Sequence, residues 1–220
     1  MPGEVLDRNY GGSPAGPAAF REPPAKRPIQ TRGGEARARV EFGAYRLFAG
    51  KRPEGITVRE LLGTANTSPG FIKSHYDSID RLVEVAVAGM SAKVVGQILD
   101  VAPVRGTPRQ LVQRAASHAA AVVATSDYRE LLMVCVREPE RWKGVLDALA
   151  SALRDCAKRT LQAASPAVLL HQDALDAFAD ELHMRLALRP MLTRQDPSPA
   201  EVNDAAARAA AELLKGVFQP

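Results

Sequence analysis

Cysteine is nearly absent from this chain. Cys135 and Cys156 are its only two, and neither sits in a CxxC pair. No disulfide framework or thiolate metal cluster can be built from them. Reduced, buried thiols are the expected state, with a disulfide or redox switch as the minor alternative. Aromatic residues make up only 5% of the sequence, while alanine is abundant. That balance disfavours sheets and favours helices. No segment shows the alternation of a half-buried strand, and no internal repeat is visible. No apolar run approaches the ~18–20 residues of a membrane-crossing helix. The N-terminus lacks a signal-type apolar stretch, so a cytoplasmic location is expected.

The catalytic signatures are missing too. There is no GxSxG elbow, no HExxH and no Walker A loop, and Gly50-Lys51 lacks the upstream glycine of a phosphate loop. The four histidines are His75, His118, His171 and His183. The last three fall on separate predicted helices with no Cys or carboxylate at metal-ligand spacing. His171 and Asp173 are two residues apart, so they do not share a helix face. No enzymatic activity, cofactor or metal is expected.

What the chain does have is 46% hydrophobic residues, enough for a real core. Its net charge of +4 is unevenly placed. Residues 1–53 carry ten Lys/Arg against five Asp/Glu, leaving the remaining 19 basic residues against 20 acidic ones (29 − 10 and 25 − 5). The excess of positive charge therefore lies at the N-terminal end, where it can attract phosphates or simply solvate a tail.

The predicted organisation is all-α. Residues 1–34 hold six Pro and six Gly, lack apolar periodicity and read as a flexible arm, with Lys26, Arg27, Arg32, Arg37 and Arg39 clustered near its end. Helix 1 is predicted from Glu35 to Ala49, burying Val40, Ala44, Leu47 and Phe48. Ser78 caps a helix to about Val101, with Ile79, Leu82, Val83, Ala86 and Met90 on one face. Further helices are predicted from Pro108 to Ala124, from Ser126 to Arg137, from beyond Pro139 to Ala164, from Ser165-Pro166 to Arg189-Pro190, and from Ser198-Pro199 to Gly216. The repeated Ser/Thr-Pro pair is a helix-start device.

Residues 57–82 are the most informative. Val58, Leu61, Leu62 and Ala65 lie at i, i+3, i+4, i+7, one face of a short helix opened by Thr57. Ala65-Asn66-Thr67 is a turn, since Asn tolerates the left-handed backbone that ends a helix. Ser68 caps the next helix, with Pro69 at its first position and Ile72 and Tyr76 on its inner face. Two short helices around a tight turn form the helix-turn-helix that places its second helix in the DNA major groove.

These residues resemble the N-terminal domain of the tetracycline-repressor (TetR) family. Leu47-Phe48, Thr57-Val58, Ser68, Gly70, His75-Tyr76, Ser78 and Leu82 match its pattern at the expected spacing over about residues 37–85. The sequence departs at Arg52 and Asn66, where Gly is usual. It departs again at Lys73 in place of Tyr and at Ile79 in place of Lys.

The resemblance implies a DNA-binding head at residues 35–77 and a helical ligand-binding and dimerisation domain at 78–220. It implies a regulator, more often a repressor, that acts as a homodimer on a palindromic double-stranded operator and answers to a small-molecule inducer. The alternative is a TetR-like sensor or protein-interaction subunit without specific DNA binding.

The candidate DNA-contacting residues are Arg37, Arg39, Thr57, Val58, Thr67, Ser68, Pro69, Gly70, Lys73, Ser74 and His75. Candidate pocket residues are His118, Tyr128, Met133, Cys135, Trp142 and Phe178, which supply apolar and aromatic surface with a polar anchor. For the dimer, the last two helices offer Leu175, Phe178, Leu182, Ala205, Ala206, Ala209 and Leu213. The small alanines would let helix axes approach closely.

Overall fold

The computed structural model describes residues 29–51, 55–102, 105–164 and 170–218. The arm residues 1–28, Arg52 and the Ser165-Pro166 helix start lie outside the described residues. Within them the chain is helical throughout: α1 (Ile29–Gly50), α2 (Val58–Ala65), α3 (Pro69–Tyr76), α4 (Ile79–Leu99), α5 (Pro108–Val123), α6 (Ser126–Arg137), α7 (Pro139–Ala164), α8 (Gln172–Leu182), a π-helical segment (His183–Leu188), α9 (Arg189–Thr193) and α10 (Pro199–Phe218).

The helix starts follow from local chemistry. Thr57 accepts from Glu60 N–H while the Glu60 carboxylate accepts from Thr57 N–H, a reciprocal capping box. Thr107 with Gln110 and Ser198 with Glu201 form the same box. Ser68 accepts from Phe71 N–H, with Pro69 in the first turn, and Ser78 accepts from Arg81 N–H. Asn66 adopts φ 47°, ψ 55°, the left-handed conformation that ends α2.

Four boundaries differ from the sequence expectation. α1 begins at Ile29, so residues 29–34 are helix rather than arm. Gly33 and Gly34 weaken a helix by about 1 kcal/mol each but do not end this one. α6 is capped by Thr125, not Ser126. α8 begins at Gln172, after an extended His171, rather than near Pro166. The same rod passes Arg189-Pro190 and ends only at Thr193, with Pro190 the second residue of α9 directly after the π-helical segment.

In the head, α1 packs on α2 and α4, and α3 packs on α4. Val40, Ala44, Tyr45, Phe48, Leu61, Ala65, Ile72 and Tyr76 are buried. α1 and α2 meet closely at Gly43, where a Cβ would lie 3.2 Å from the Ala65 Cα. Leu47 and Leu62 are only half-buried, and Val58 is exposed, so α2 buries a narrower face than its apolar spacing suggests.

In the body, α5 is the central helix, packed by α4, α7, α8 and α10. Seven of its residues from Leu111 to Val123 are buried. α4 is long and apolar enough to cross a membrane by length and composition, contrary to the sequence expectation. Its apolar residues are instead core: Leu82, Val83, Ala86, Val87, Met90, Val94 and Ile98 are buried where it meets α1, α6 and α7. Cys135 and Cys156 are free and buried, and burial pushes both thiols up to about 12. α10 closes on α8 so tightly at Gly216 that any Cβ there would collide with the Ala174 side chain.

Candidate nucleic-acid interface

α2, the Asn66 turn and α3 bring Ser68, Pro69, Gly70, Lys73, Ser74 and His75 to one solvent-exposed edge of the head. Ile72 and Tyr76 anchor the other side of α3 in the core. A Cβ at Gly70 would meet only the Ser68 hydroxyl, at 4.0 Å, so the α3 N-terminal amides are approachable. Lys73 is exposed and, among the described residues, pairs with no carboxylate. Its charge is free for an external anion. Phe71 and His75 stack with ring centroids 4.1 Å apart. The His75 Nδ1 lies 2.9 Å from the Phe71 carbonyl and 2.8 Å from the Ser74 hydroxyl, which itself donates to that carbonyl. Nε2 is the nitrogen left facing outward.

The other candidates divide. Thr57 and Ser68 spend their hydroxyls on caps, so their part is to fix helix angles. Thr67 is half-buried, while Val58 is exposed. Arg37 lies 5.7 Å from the Tyr76 ring centroid and 3.8 Å from Glu41, which accepts from the Tyr76 hydroxyl at 2.9 Å. That hydroxyl is pushed up to about 12, by burial first and by Glu41 second. Arg37 is thus tied into the head's own packing. Arg39 is exposed and free of carboxylates among the described residues. Arg59 was missed by sequence reasoning. It stands exposed and unpaired among the described residues on the solvent face of α2, next to the Thr57-Val58 pair already singled out.

Lys51 reaches Glu60 at 2.6 Å. With the Thr57 bonds, this holds the Glu60 carboxylate down, from its ordinary 4.5 to about 2. A carboxylate depressed in the fold stabilises it above pH 4.5, and that contribution disappears as the pH falls towards 2. The head's melting temperature should therefore drop across that window, and Glu60→Gln should flatten the drop. An unchanged acid profile in Glu60→Gln would show that the capping box does not hold the head.

The head is bolted to the body through α6. Tyr45 donates its hydroxyl to the Asp127 carbonyl at 3.1 Å, Arg46 meets Glu130 at 2.6 Å, and Arg137 donates to the Phe48 carbonyl at 2.9 Å. Burial, with Glu130 next, pushes the Tyr45 hydroxyl far above its usual range, so it stays protonated and donating.

The body corrects two groups of expected residues. Tyr128, Cys135, Phe178 and Trp142 are buried core, Met133 is half-buried, and His118 binds the Gln97 carbonyl at 2.9 Å. None of the six lines the cleft of about 490 Å³ between α6, α7 and the π segment. Its walls are Leu132, Val136, Leu146, Met184 and Leu188, with Asp180 and His183 as the polar members. Large apolar side chains fill the core first; the cleft is left to residues at the core's edge. Leu175, Phe178, Leu182, Ala205, Ala206, Ala209 and Leu213 are likewise buried in their own subunit, where α10 packs on α5 and α8. They do not form a face open to a second chain. The outer side of α10 instead shows Ala200, Ala207 and Ala211, with Leu214 half-buried beside them.

Solved structures share this arrangement. A TetR-family bacterial regulatory protein from Rhodococcus RHA1 matches with a TM-score of 0.56 at 22% identity, over 83% of this chain and 97% of that one. A TetR transcriptional regulator from Agrobacterium tumefaciens matches at 0.59 and 20% identity, over 82% and 93%. A protein from Mesorhizobium loti MAFF303099, also described as of the TetR family, matches at 0.61 and 16% identity, over 84% and 97%. This chain has the fold of the TetR-family regulators. No protein-family model and no curated protein matches the sequence.

Proposed function

We propose that the chain is a ligand-responsive, homodimeric transcriptional regulator that reads double-stranded DNA with α3. The exposed edge of α3 carries this reading: an open Gly70 at the helix start and an unpaired Lys73 one turn on, braced from behind by Ile72 and Tyr76. Such an edge offers backbone amides and a cation to phosphates while the side chains of Ser74 and His75 reach base edges.

Selection of genomic DNA fragments by the purified protein tests it. One enriched palindrome is expected. An intact dimer that enriches nothing would favour the alternative, a helical sensor or interaction subunit, which the departures at Lys73 and Ile79 motivate, although Lys73 keeps a cation for phosphate. Lys73→Ala should weaken binding to all sequences alike and lower the salt slope by about one unit. An unchanged slope would remove Lys73 from the interface.

Dimerisation follows from the geometry of reading: one head reaches one half-site, and two half-sites about one DNA turn apart need two heads. The outward face of α10 with Ala200, Ala207 and Ala211 is the surface offered for it. Ligand response enters through α6, which lines the cleft with Leu132 and Val136 and holds α1 with the Asp127, Glu130 and Arg137 contacts. A ligand preferring one placement of α6 shifts the heads by its difference in affinity for the two states. A ligand that lowers operator affinity would release a repressor from its site.

A further inference from the structure

The cleft of about 490 Å³ holds an unusual pair of polar groups in an apolar wall. His183 opens the π-helical segment, and that segment supplies three of the lining residues: His183, Met184 and Leu188. A π turn inside an α-helical rod is a local defect that recurs at functional sites. His183 Nε2 is hydrogen-bonded to the hydroxyl of Tyr128, which is fully buried on α6. Among the described residues that hydroxyl has no other acceptor, so it donates to Nε2. The ring proton then sits on Nδ1. Desolvation by burial lowers the His183 pKa and so favours the neutral ring this tautomer needs. Nδ1–H has no acceptor among the described residues. The half-buried ring lines the cleft, where the other polar member is the exposed carboxylate of Asp180. Nδ1–H is therefore not tied up by the described residues and is open to an acceptor that enters the cleft.

We infer that the cleft takes an uncharged, apolar small molecule bearing a hydrogen-bond acceptor such as a carbonyl oxygen, which accepts from His183 Nδ1–H while the carboxylate of Asp180 turns anions away. The cleft's volume is in the range of drug-sized ligand sites. The inference rests on the ligand-responsive part of the reading above and names the ligand class of that site. It is independent of whether α3 reads DNA.

Calorimetry on the full chain without DNA tests it, using butyrophenone, butylbenzene and 4-butylbenzoate as probes. The first two differ by one carbonyl, and the third adds a negative charge to the hydrocarbon. Butyrophenone should bind about tenfold more tightly than butylbenzene, the worth of one hydrogen bond. The benzoate should bind most weakly. His183→Leu should abolish the ketone's advantage and leave butylbenzene affinity in place. Tyr128→Phe, which removes the group that sets the tautomer and keeps the core volume, should shrink that advantage. Equal affinity for ketone and hydrocarbon overturns the inference. So does a ketone preference that survives His183→Leu, or a folded wild-type chain that binds none of the three. Operator selection is measured separately. A chain that prefers the ketone but enriches no DNA keeps this inference and sinks the DNA reading; a chain that enriches an operator but ignores the carbonyl does the reverse.

Discussion

Phe48→Ala is expected to unfold the helical head and, with it, to abolish the operator binding proposed above. Phe48 is 2% exposed on the inner side of α1, in a core that includes Val40, Ala44, Tyr45 and Leu61. Truncating a buried Phe costs about 3–5 kcal/mol, from lost transfer energy and the cavity left behind. The whole stability of a domain is only about 5–15 kcal/mol. The position also carries the backbone carbonyl that Arg137 binds from α6. Loss of order in this turn of α1 therefore loosens the joint between head and body. Phe42→Ala is the control. Phe42 lies on the same helix but is 53% exposed, and its truncation should leave the melting temperature within a degree or two. Thermal unfolding by circular dichroism with operator binding at 37 °C decides the matter. A Phe48→Ala protein that melts like the wild type would show that Phe48 is not part of the head's core.

Polar chemistry at helix ends made much of this fold legible. Thr57, Ser68, Ser78, Thr107 and Ser198 each satisfy amides that a helix start leaves open, and at all but Ser78 a short side chain followed by Pro or by Glu/Gln three residues on is visible in sequence. Asn66 was readable for the same kind of reason: few residues tolerate its left-handed backbone. The helix-turn-helix, with its exposed Gly70 and Lys73, followed from those marks. The π segment left no such mark. His183–Leu188 itself contains no Pro or Gly, and it packs against α5, α6 and α10. The cleft was illegible for a related reason. Tyr128, Cys135 and Phe178 looked suited to a pocket because they are large, soft or aromatic, and those properties took them into the core. Alanine misled most. α10 buries Ala205, Ala206, Ala209 and Ala210 and exposes Ala200, Ala207 and Ala211. A methyl group is too small for hydropathy to say which stripe faces in, so sequence alone does not tell the inner stripe from the outer one.

A pair of substitutions two residues apart tests which stripe of α10 faces in. Ala209→Glu places a carboxylate where α10 packs on α5 and α8, at a site with 0% exposure. There is no room for the side chain, and a charge buried without a partner costs several kcal/mol. The subunit itself should fail, giving an insoluble chain or one that melts far below the wild type. Ala211→Glu adds the same side chain to the exposed side of the same helix. Within a lone subunit it is harmless: Arg208 and Lys215 stand three and four residues away and can pair with a new carboxylate. Against a second subunit it is not harmless. If the Ala200–Ala207–Ala211 face meets its copy across a two-fold axis, each charge enters the contact twice, like against like, and in place of a methyl group that allowed close approach. The expected product is a folded monomer with the wild-type helical signal, and with operator affinity lost because one head spans one half-site. Light scattering beside circular dichroism separates the two substitutions. An Ala209→Glu chain that stays fully folded would put the inner stripe back at the surface. A wild-type monomer at micromolar concentration, or an Ala211→Glu dimer that binds its operator normally, would move the interface off the outer face of α10.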